Sequence, residues 1–218
     1  MITNMMQRLD DRKKPIRVMT VEDHPIFRSG LEALISSQPD MELVAQAEAT
    51  DEALSEYRRL KPDVVLMNQR LPGTNGTETL LAIRKLSRDT RIIILTTSRG
   101  DIEIQRALRA GAAGYVLKNT SKDELIKSIR TVSKGKKYIP PEVAGMVAEH
   151  WGKEELTLRE TEVLSLIRDG TKNKEIGSQL GISETTVNFH IKNIGDKLQS
   201  RDRTHAVTLA VRRGLLEM

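Results

Sequence analysis

Several polar side chains follow short apolar runs in the first half of the sequence. They comprise two neighbouring carboxylates, a carboxamide, two hydroxyls and an ammonium group: Glu22, Asp23, Asn68, Thr96, Thr97 and Lys118. Adjacent acids can supply the oxygen ligands that Mg²⁺ prefers, and a hydroxyl and a lysine can each hold one oxygen of a phosphoryl group. These residue types indicate a pocket for a cation and a phosphoryl group. His24, beside the acids, is interpreted as structural.

A second group of informative residues lies in the stretch ISETTVNFHIKNIGDKL, residues 182–198. Apolar residues recur there at the spacing of one buried helical stripe: Val187, Ile191, Ile194 and Leu198. The other side of the same helix carries groups that can bind a partner: Thr185, Asn188, Phe189 and Lys192. Ser183 precedes the helix and can accept a hydrogen bond from its first turn.

The outward side chains match groups that read base pairs in DNA. Asn188 can bond N6 and N7 of adenine, Lys192 can reach O6 or N7 of guanine, and Phe189 can touch a thymine methyl. Predicted phosphate contacts come from basic and hydroxyl side chains nearby: Lys172, Lys174, Thr185 and Arg201. A simpler interpretation is that Lys192 is only solvated and that Phe189 completes a core. His190 is interpreted as a packing or hydrogen-bonding residue.

Five apolar runs alternate with segments of helical period between residues 15 and 133. The runs are IRVMTV, MELVAQ, DVVLM, RIIILTT and GYVLK, which start at residues 16, 41, 63, 91 and 114. This alternation predicts an α/β fold, a doubly wound (βα)₅ domain whose parallel sheet is covered on both faces. Ligands of such sheets bind beyond the carboxyl ends of the strands, where the polar residues above are expected to meet.

The rest of the chain predicts a tail, a linker and an all-α four-helix domain. Residues 1–14 are charged without apolar periodicity and predict a flexible tail. Residues 134–153 contain the pair Pro140–Pro141, which indicates a linker, and Trp151 is expected to anchor a short helix there. Residues 154–218 predict helices at about 158–169, 173–180, 182–198 and 204–216. Helices joined by short glycine-containing turns are the layout of a helix-turn-helix DNA reader.

Charge and composition limit the function classes. The 218-residue chain has a formal net charge of +5, but residues 154–218 hold 10 basic and 10 acidic residues. Within 185–218 the balance is 6 basic to 3 acidic, so DNA binding must depend on a local face. The chain has no cysteine, which excludes disulfides and thiolate metal sites and fits a cytoplasmic protein. The apolar runs are too short to predict a membrane span.

The sequence resembles a known family in two long segments. VEDHPIFRSG, PDVVLMNQRLPGTNG, IIILTTS and AGAAGYVLKNTSKDEL are similar to the signature segments of receiver domains in bacterial two-component signalling. LTLRETEVLSLIRDGTKNKEIGSQLGISETTVNFHIKNIGDKL resembles the LuxR-type helix-turn-helix. The pair in this order resembles NarL/FixJ response regulators over about residues 15–216 and implies a flavodoxin-like receiver domain before the DNA reader.

The resemblance also implies roles for individual residues. Asp23, with help from Glu22, would hold Mg²⁺, Lys118 would pair with a phosphoryl oxygen and Thr96 would move to bond another. Tyr115 matches the aromatic residue that follows this threonine inward. The last helix matches the dimer helix of the family, so a homodimer on double-stranded DNA is expected, with half-sites about ten base pairs apart.

Asn68 departs from the family at the position of the phosphoryl acceptor, which is normally an aspartate. A carboxamide cannot attack phosphorus as a carboxylate does, and it cannot form an acyl phosphate. Losing this anion removes a ligand charge from the Mg²⁺ site. The chain is either a natural atypical receiver or an engineered form of an aspartate-bearing parent, which would have a sensor histidine kinase as partner. Deamidation is disfavoured because the next residue is the bulky Gln69.

Together these observations predict a DNA-binding transcription regulator that is not an enzyme. No cofactor is expected to be required, and any Mg²⁺ would bind weakly through Glu22 and Asp23. The alternative is a receiver that works mainly as a protein-docking module, with DNA binding secondary.

Overall fold

The computed structural model describes residues 14–149 and 155–216. The described residues form two compact units, 14–97 with 107–140, and 98–106 with 141–149 and 155–216. Two predictions fall outside the described residues, namely the tail up to residue 13 and the linker-helix anchor Trp151. None of the helices described in these ranges is both long enough and apolar enough to cross a bilayer.

A five-stranded parallel sheet forms the centre of the first unit. The strands are β1 (Ile16–Val21), β2 (Met41–Ala47), β3 (Val64–Asn68), a short hairpin of β4 (Arg70–Leu71) and β5 (Thr74–Asn75), β6 (Ile92–Thr96) and β7 (Gly114–Leu117). The sheet order is β2-β1-β3-β6-β7, and the hairpin stands apart from it. Every residue of β3 and β6 is buried, because helices cover both faces of a doubly wound sheet. The predicted (βα)₅ fold is confirmed.

Helices connect the strands in the predicted alternation. They are α1 (Pro25–Ser36), α2 (Thr50–Leu60), α3 (Gly76–Leu86), α4 (Asp101–Arg109) and α5 (Lys122–Ser133). Local sequence fixes two of the starts: the Asn75 side chain accepts from the Glu78 N–H at 2.9 Å, and Ser121 accepts from the Glu124 N–H at 3.2 Å. The apolar sides of α1 and α5 contribute to a core that includes Val18, Leu66, Ile93, Leu31 and Ile129.

The chain remains bonded to the sheet beyond the end of α5. The Tyr138 N–H donates to the Ala113 carbonyl at 2.8 Å, and the Tyr115 N–H donates to the Tyr138 carbonyl at 3.3 Å. Residues predicted as the start of the linker therefore extend the first unit to Pro140.

The second unit contains helices that share one apolar core. They are α7 (Leu158–Arg168), α8 (Asn173–Leu180), α9 (Glu184–Leu198) and α10 (Arg203–Arg212), and α6 (Pro141–Glu149) precedes them in the same unit. A capping box begins α7: the Thr157 hydroxyl accepts from the Glu160 N–H, and the Glu160 carboxylate accepts from the Thr157 N–H. Core residues include Val163, Leu164 and Ile176. The helices α7 to α10 correspond to the four predicted for the reader.

The turn between α8 and α9 is short and tightly packed. Gly181 ends α8 in the left-handed conformation, with φ of 66°, which glycine adopts without steric cost. A Cβ atom added at Gly177 would lie 2.7 Å from the Ile182 carbonyl oxygen. The close approach of these two backbones holds α8 and α9 in a helix-turn-helix arrangement.

Candidate functional site

The predicted polar residues of the first unit meet at the carboxyl edge of the sheet. Glu22 follows β1, Asn68 ends β3 and Thr96 ends β6, and these three side chains are buried. Lys118 follows β7, and its Nζ lies 2.7 Å from Oε2 of Glu22. The predicted pocket is therefore assembled. Tyr115, the proposed partner of the threonine, is fully buried on β7.

The carboxamide of Asn68 lies among the oxygens of this pocket. Its Nδ2 donates to Oδ1 of Asp23 at 2.8 Å, to Oε1 of Glu22 at 3.2 Å and to the backbone carbonyl of Arg70. Its Oδ1 accepts from the Arg70 N–H at 3.4 Å. Three acceptors around one nitrogen fix the orientation of the amide, because a rotated amide would place its oxygen against them.

The same oxygens are the kind that Mg²⁺ takes as ligands. In this arrangement Nδ2 of Asn68 faces one oxygen of each acid and the Arg70 carbonyl, so a divalent cation at these oxygens would have to compete with this donor. Burial raises the pKa of Asp23, but the hydrogen bonds from Asn68 and the backbone, together with nearby His24, bring that pKa below its usual value. The acid is thus held as a carboxylate by donors of the protein itself.

His24 lies against the acids of the pocket, and its structural role stays a prediction. Its Nδ1 lies 3.0 Å from Oε1 of Glu22 and 3.1 Å from Oδ1 of Asp23. Glu22, Asp23 and His24 form the one cluster in residues 14–149 and 155–216 whose ligand atoms could share a metal ion. The sequence signal was adjacency: a histidine that directly follows two acids at a strand end can fold back onto them.

In the second unit, α9 presents the predicted polar face. Val187, Ile194 and Leu198 are buried, whereas Asn188 and Lys192 are exposed. Ser183 accepts from the Thr186 N–H at 3.0 Å, which confirms the predicted N-cap. The other predicted contact residues Thr185, Lys172, Lys174 and Arg201 are also exposed.

Phe189 lies outside the core of the second unit. Its residue surface is 61% exposed, so the interpretation in which it completes a core is wrong. Its ring meets the edge of the His190 ring, with 6.1 Å between centroids. This contact agrees with a packing role for the histidine.

A contact that the sequence did not reveal supports the face of α9. Nδ2 of Asn173, at the start of α8, donates to Oδ1 of Asn188 at 2.8 Å. The bond uses one of the two lone pairs of Oδ1 and orients the amide of Asn188. No periodicity could indicate it, because the partners are on different helices.

Known proteins resemble the chain over both units. The response regulator receiver domain family matches residues 18–130, and the LuxR family of bacterial regulatory proteins matches residues 154–210. The transcriptional regulatory protein LiaR of Bacillus subtilis is 39% identical over 92% of this chain and 99% of its own length. The response regulator VraR of Staphylococcus aureus is 36% identical over 93% of this chain and 99% of its own.

A solved structure with two RcsB dimers bound to two parallel DNAs shares the fold. Its TM-score is 0.70 at 23% identity, and the match covers 91% of this chain and 99% of that one. These relatives are regulatory proteins rather than enzymes. The chain belongs to the LuxR-type response regulators of two-component systems, with a receiver domain followed by a LuxR-type DNA-binding domain.

Proposed function

We propose that this response regulator binds specific double-stranded DNA as a homodimer and controls transcription without phosphorylation of residue 68. The exposed face of α9 carries the DNA-binding part of the proposal. Asn188 and Lys192 lie one turn apart on that face, and the buried stripe behind them holds the helix against its domain. An asparagine and a lysine so placed can read adenine and guanine in the major groove. Such a protein acts where DNA is, in the cytoplasm.

The geometry at Asn68 carries the second part of the proposal. Its amide cannot accept a phosphoryl group, and its Nδ2 already satisfies the two acids and the Arg70 carbonyl. Hydrogen bonds from Asn68 and the ion pair of Glu22 with Lys118 thus stabilise the two acids from within the protein. The input that alters DNA binding must come from dimerisation, a protein partner or a ligand.

Phosphate contacts should be few, because the reader domain is neutral overall. The proposed contacts from Lys172, Lys174, Thr185 and Arg201 surround the reading helix. Counterion release then predicts that affinity falls with salt at a modest slope, set by this small number of contacts.

The test of DNA reading uses the full chain and a duplex selected from random sequences. We expect the chain to prefer the selected duplex over a scrambled one in fluorescence anisotropy. The Lys192→Ala variant should lose about 1–3 kcal/mol of this specific binding. Lys136→Ala removes the same charge outside the reader domain and serves as the matched control. Equal binding of selected and scrambled duplexes by the unmutated chain would contradict the proposal.

The test of phosphorylation independence uses Mg²⁺ with acetyl phosphate as a small phosphoryl donor. We expect no acid-labile phosphate on residue 68 and no change in DNA affinity. A phosphate-dependent gain in DNA affinity would show that the chain retains the ordinary input.

A second candidate, the docking module, is favoured by apolar side chains on the surface of α3. Leu81 and Leu86 there are 45% and 41% exposed. Isolated apolar residues are common on protein surfaces, so this observation is weaker than the polar face of α9. A full chain that fails to prefer any selected duplex while it binds a protein partner would favour docking as the main activity.

A further inference from the structure

A cavity of about 730 Å³ lies between α1 and α5 at the carboxyl edge of the receiver sheet. This volume is in the range of sites that bind small molecules. Its apolar wall is built from both helices and the ends of the adjoining strands: Phe27, Leu31, Leu34, Leu95, Leu117 and Leu125. Ile26, at the rim, is 91% exposed. The cavity borders the acidic pocket and shares Lys118 with it.

Gly30 lines this cavity from the middle of α1. Glycine is the poorest helix former after proline, so a glycine inside a helix usually has a local reason. Here no backbone approaches closely, because a Cβ added at Gly30 would meet nothing within 4 Å. Gly30 itself is exposed and lines the cavity, so a long side chain at this position has room to lie along the cavity mouth. The missing side chain thus leaves this side of the cavity unfilled.

Positive charge is concentrated at the polar end of the cavity. Arg70, Lys118 and Lys122 line it, and no carboxylate is among the lining residues. Lys118 is also paired with Glu22 in the adjoining acidic pocket, so Arg70 and Lys122 are the cations of the lining that do not share this pairing. Lys118 lies 4.5 Å from the centroid of the Phe27 ring, so one cation is placed directly against the apolar wall. The cavity also meets the start of α5, where Ser121 precedes the helix and N–H groups carry partial positive charge.

We propose that this cavity binds a small amphipathic organic anion, with a carboxylate or phosphate head near Lys118 and Lys122 and an apolar body between α1 and α5. Apolar walls with a few convergent polar groups are typical of ligand sites. Both kinds of head share the chemistry that the cations recognise. The regulatory meaning of this site rests on the proposed function. A receiver that is not phosphorylated needs another input, and a bound ligand is one such input.

The experiment measures binding to the full chain by isothermal titration calorimetry. The probes are decanoate and decyl phosphate, which represent the two heads, and 1-decanol, which has the same chain without charge. At least one anionic probe should bind with one molecule per chain, about tenfold or more tighter than decanol. The probe that binds tighter identifies the head group. Equal binding of all three would overturn the proposal, because the cations would then have no role.

Two substitutions at one position provide the matched control. Gly30→Leu should fill the cavity and weaken binding of the anionic probe by about tenfold or more. Gly30→Ala should retain binding and raise the melting temperature, because alanine favours helix and adds only one carbon. Lys122→Gln should weaken the anionic probe by about threefold and leave decanol unchanged.

Unchanged binding by Gly30→Leu would overturn the proposal. The proposal would also be overturned if no probe bound and Gly30→Leu had a lower molar mass than the unmutated chain in light scattering. That result would mean that a second copy of the chain covers this face. The titration is carried out without DNA, so its result can be interpreted even if the DNA-binding proposal fails.

Discussion

Two asparagines occupy contrasting environments in the two units. Asn68 is 3% exposed, and its Nδ2 donates to two carboxylates and a carbonyl. Asn188 is exposed on α9 and accepts one bond, from Asn173. The buried amide is hydrogen-bonded to groups inside its own pocket, whereas the exposed amide lies on a surface that a partner can reach. The same type of side chain therefore has two roles. A buried amide bonds to groups of its own pocket, and an exposed amide can bond to a partner.

The strongest test of this contrast is Asn68→Asp. The change replaces a donor with a third carboxylate beside Glu22 and Asp23, and the mutual repulsion of the acids should make the pocket dependent on a cation. The variant should gain acid-labile phosphate from acetyl phosphate, whereas the unmutated chain gains none. Mg²⁺ at roughly 100-fold above its Kd should also stabilise only the variant, by about 2.7 kcal/mol. Calorimetric melting with and without Mg²⁺ measures this difference.

The consequence of Asn68→Asp for DNA binding separates the two origins of the asparagine. Tighter dimerisation and DNA binding only in the phosphorylated variant would indicate an engineered or recently lost switch. No difference would indicate a natural receiver with another input. Equal Mg²⁺ stabilisation of both forms would contradict the idea that the amide satisfies the site by itself.

The two sides of α9 should respond differently to truncation. Ile194→Ala removes a side chain that is 1% exposed and should destabilise the second unit by about 2–5 kcal/mol. Phe189→Ala, on the exposed side of the same helix, should change its stability by about 0.5 kcal/mol or less. Urea unfolding followed by circular dichroism measures both. A large loss from Phe189→Ala would mean that its ring supports the core.

The bond between Asn173 and Asn188 should contribute to base reading. Because it orients the Asn188 amide before DNA binds, Asn173→Ala should weaken binding of an adenine-containing selected site by about 0.5–1 kcal/mol. The control is a double-mutant cycle, in which Asn173→Ala should have no further effect once Asn188 is alanine. An equal loss in both backgrounds would assign Asn173 a direct DNA contact.

The smallest predicted effect concerns pH and Glu160 in the capping box. Burial raises the pKa of this carboxyl, but bonds from Thr157 and from Lys197, whose Nζ is 2.9 Å away, bring it below 4.5. The stabilisation is therefore complete above pH 4.5 and is lost as pH falls through the lower folded-state pKa. Glu160→Gln should reduce the dependence of the unfolding free energy on pH at acid pH, measured by urea unfolding of the second unit. If the pH dependence of stability in acid were unchanged, other carboxyl groups would be its cause.

Periodicity predicted the elements because burial has a regular spacing along a chain. The stripe of Val187, Ile194 and Leu198 and the buried run of β6 both follow from it. The acidic pocket could also be located, since the carboxyl ends of parallel strands must converge. Features that depend on the space between elements could not be predicted. The cavity beside Gly30 depends on how far α1 stands from α5, and the extension to Tyr138 depends on backbone bonds, which leave no side-chain pattern.

The close approach at Gly177 has a consequence for how this protein tolerates mutation. Any side chain there would push α8 away from the backbone that leads into α9. In a library of all single substitutions selected for reporter-gene control, position 177 should accept almost no replacement. Gly30 should accept alanine freely under the same selection. Two glycines in one chain would thus mark opposite extremes of mutational tolerance, one because a neighbour is too near and the other because none is.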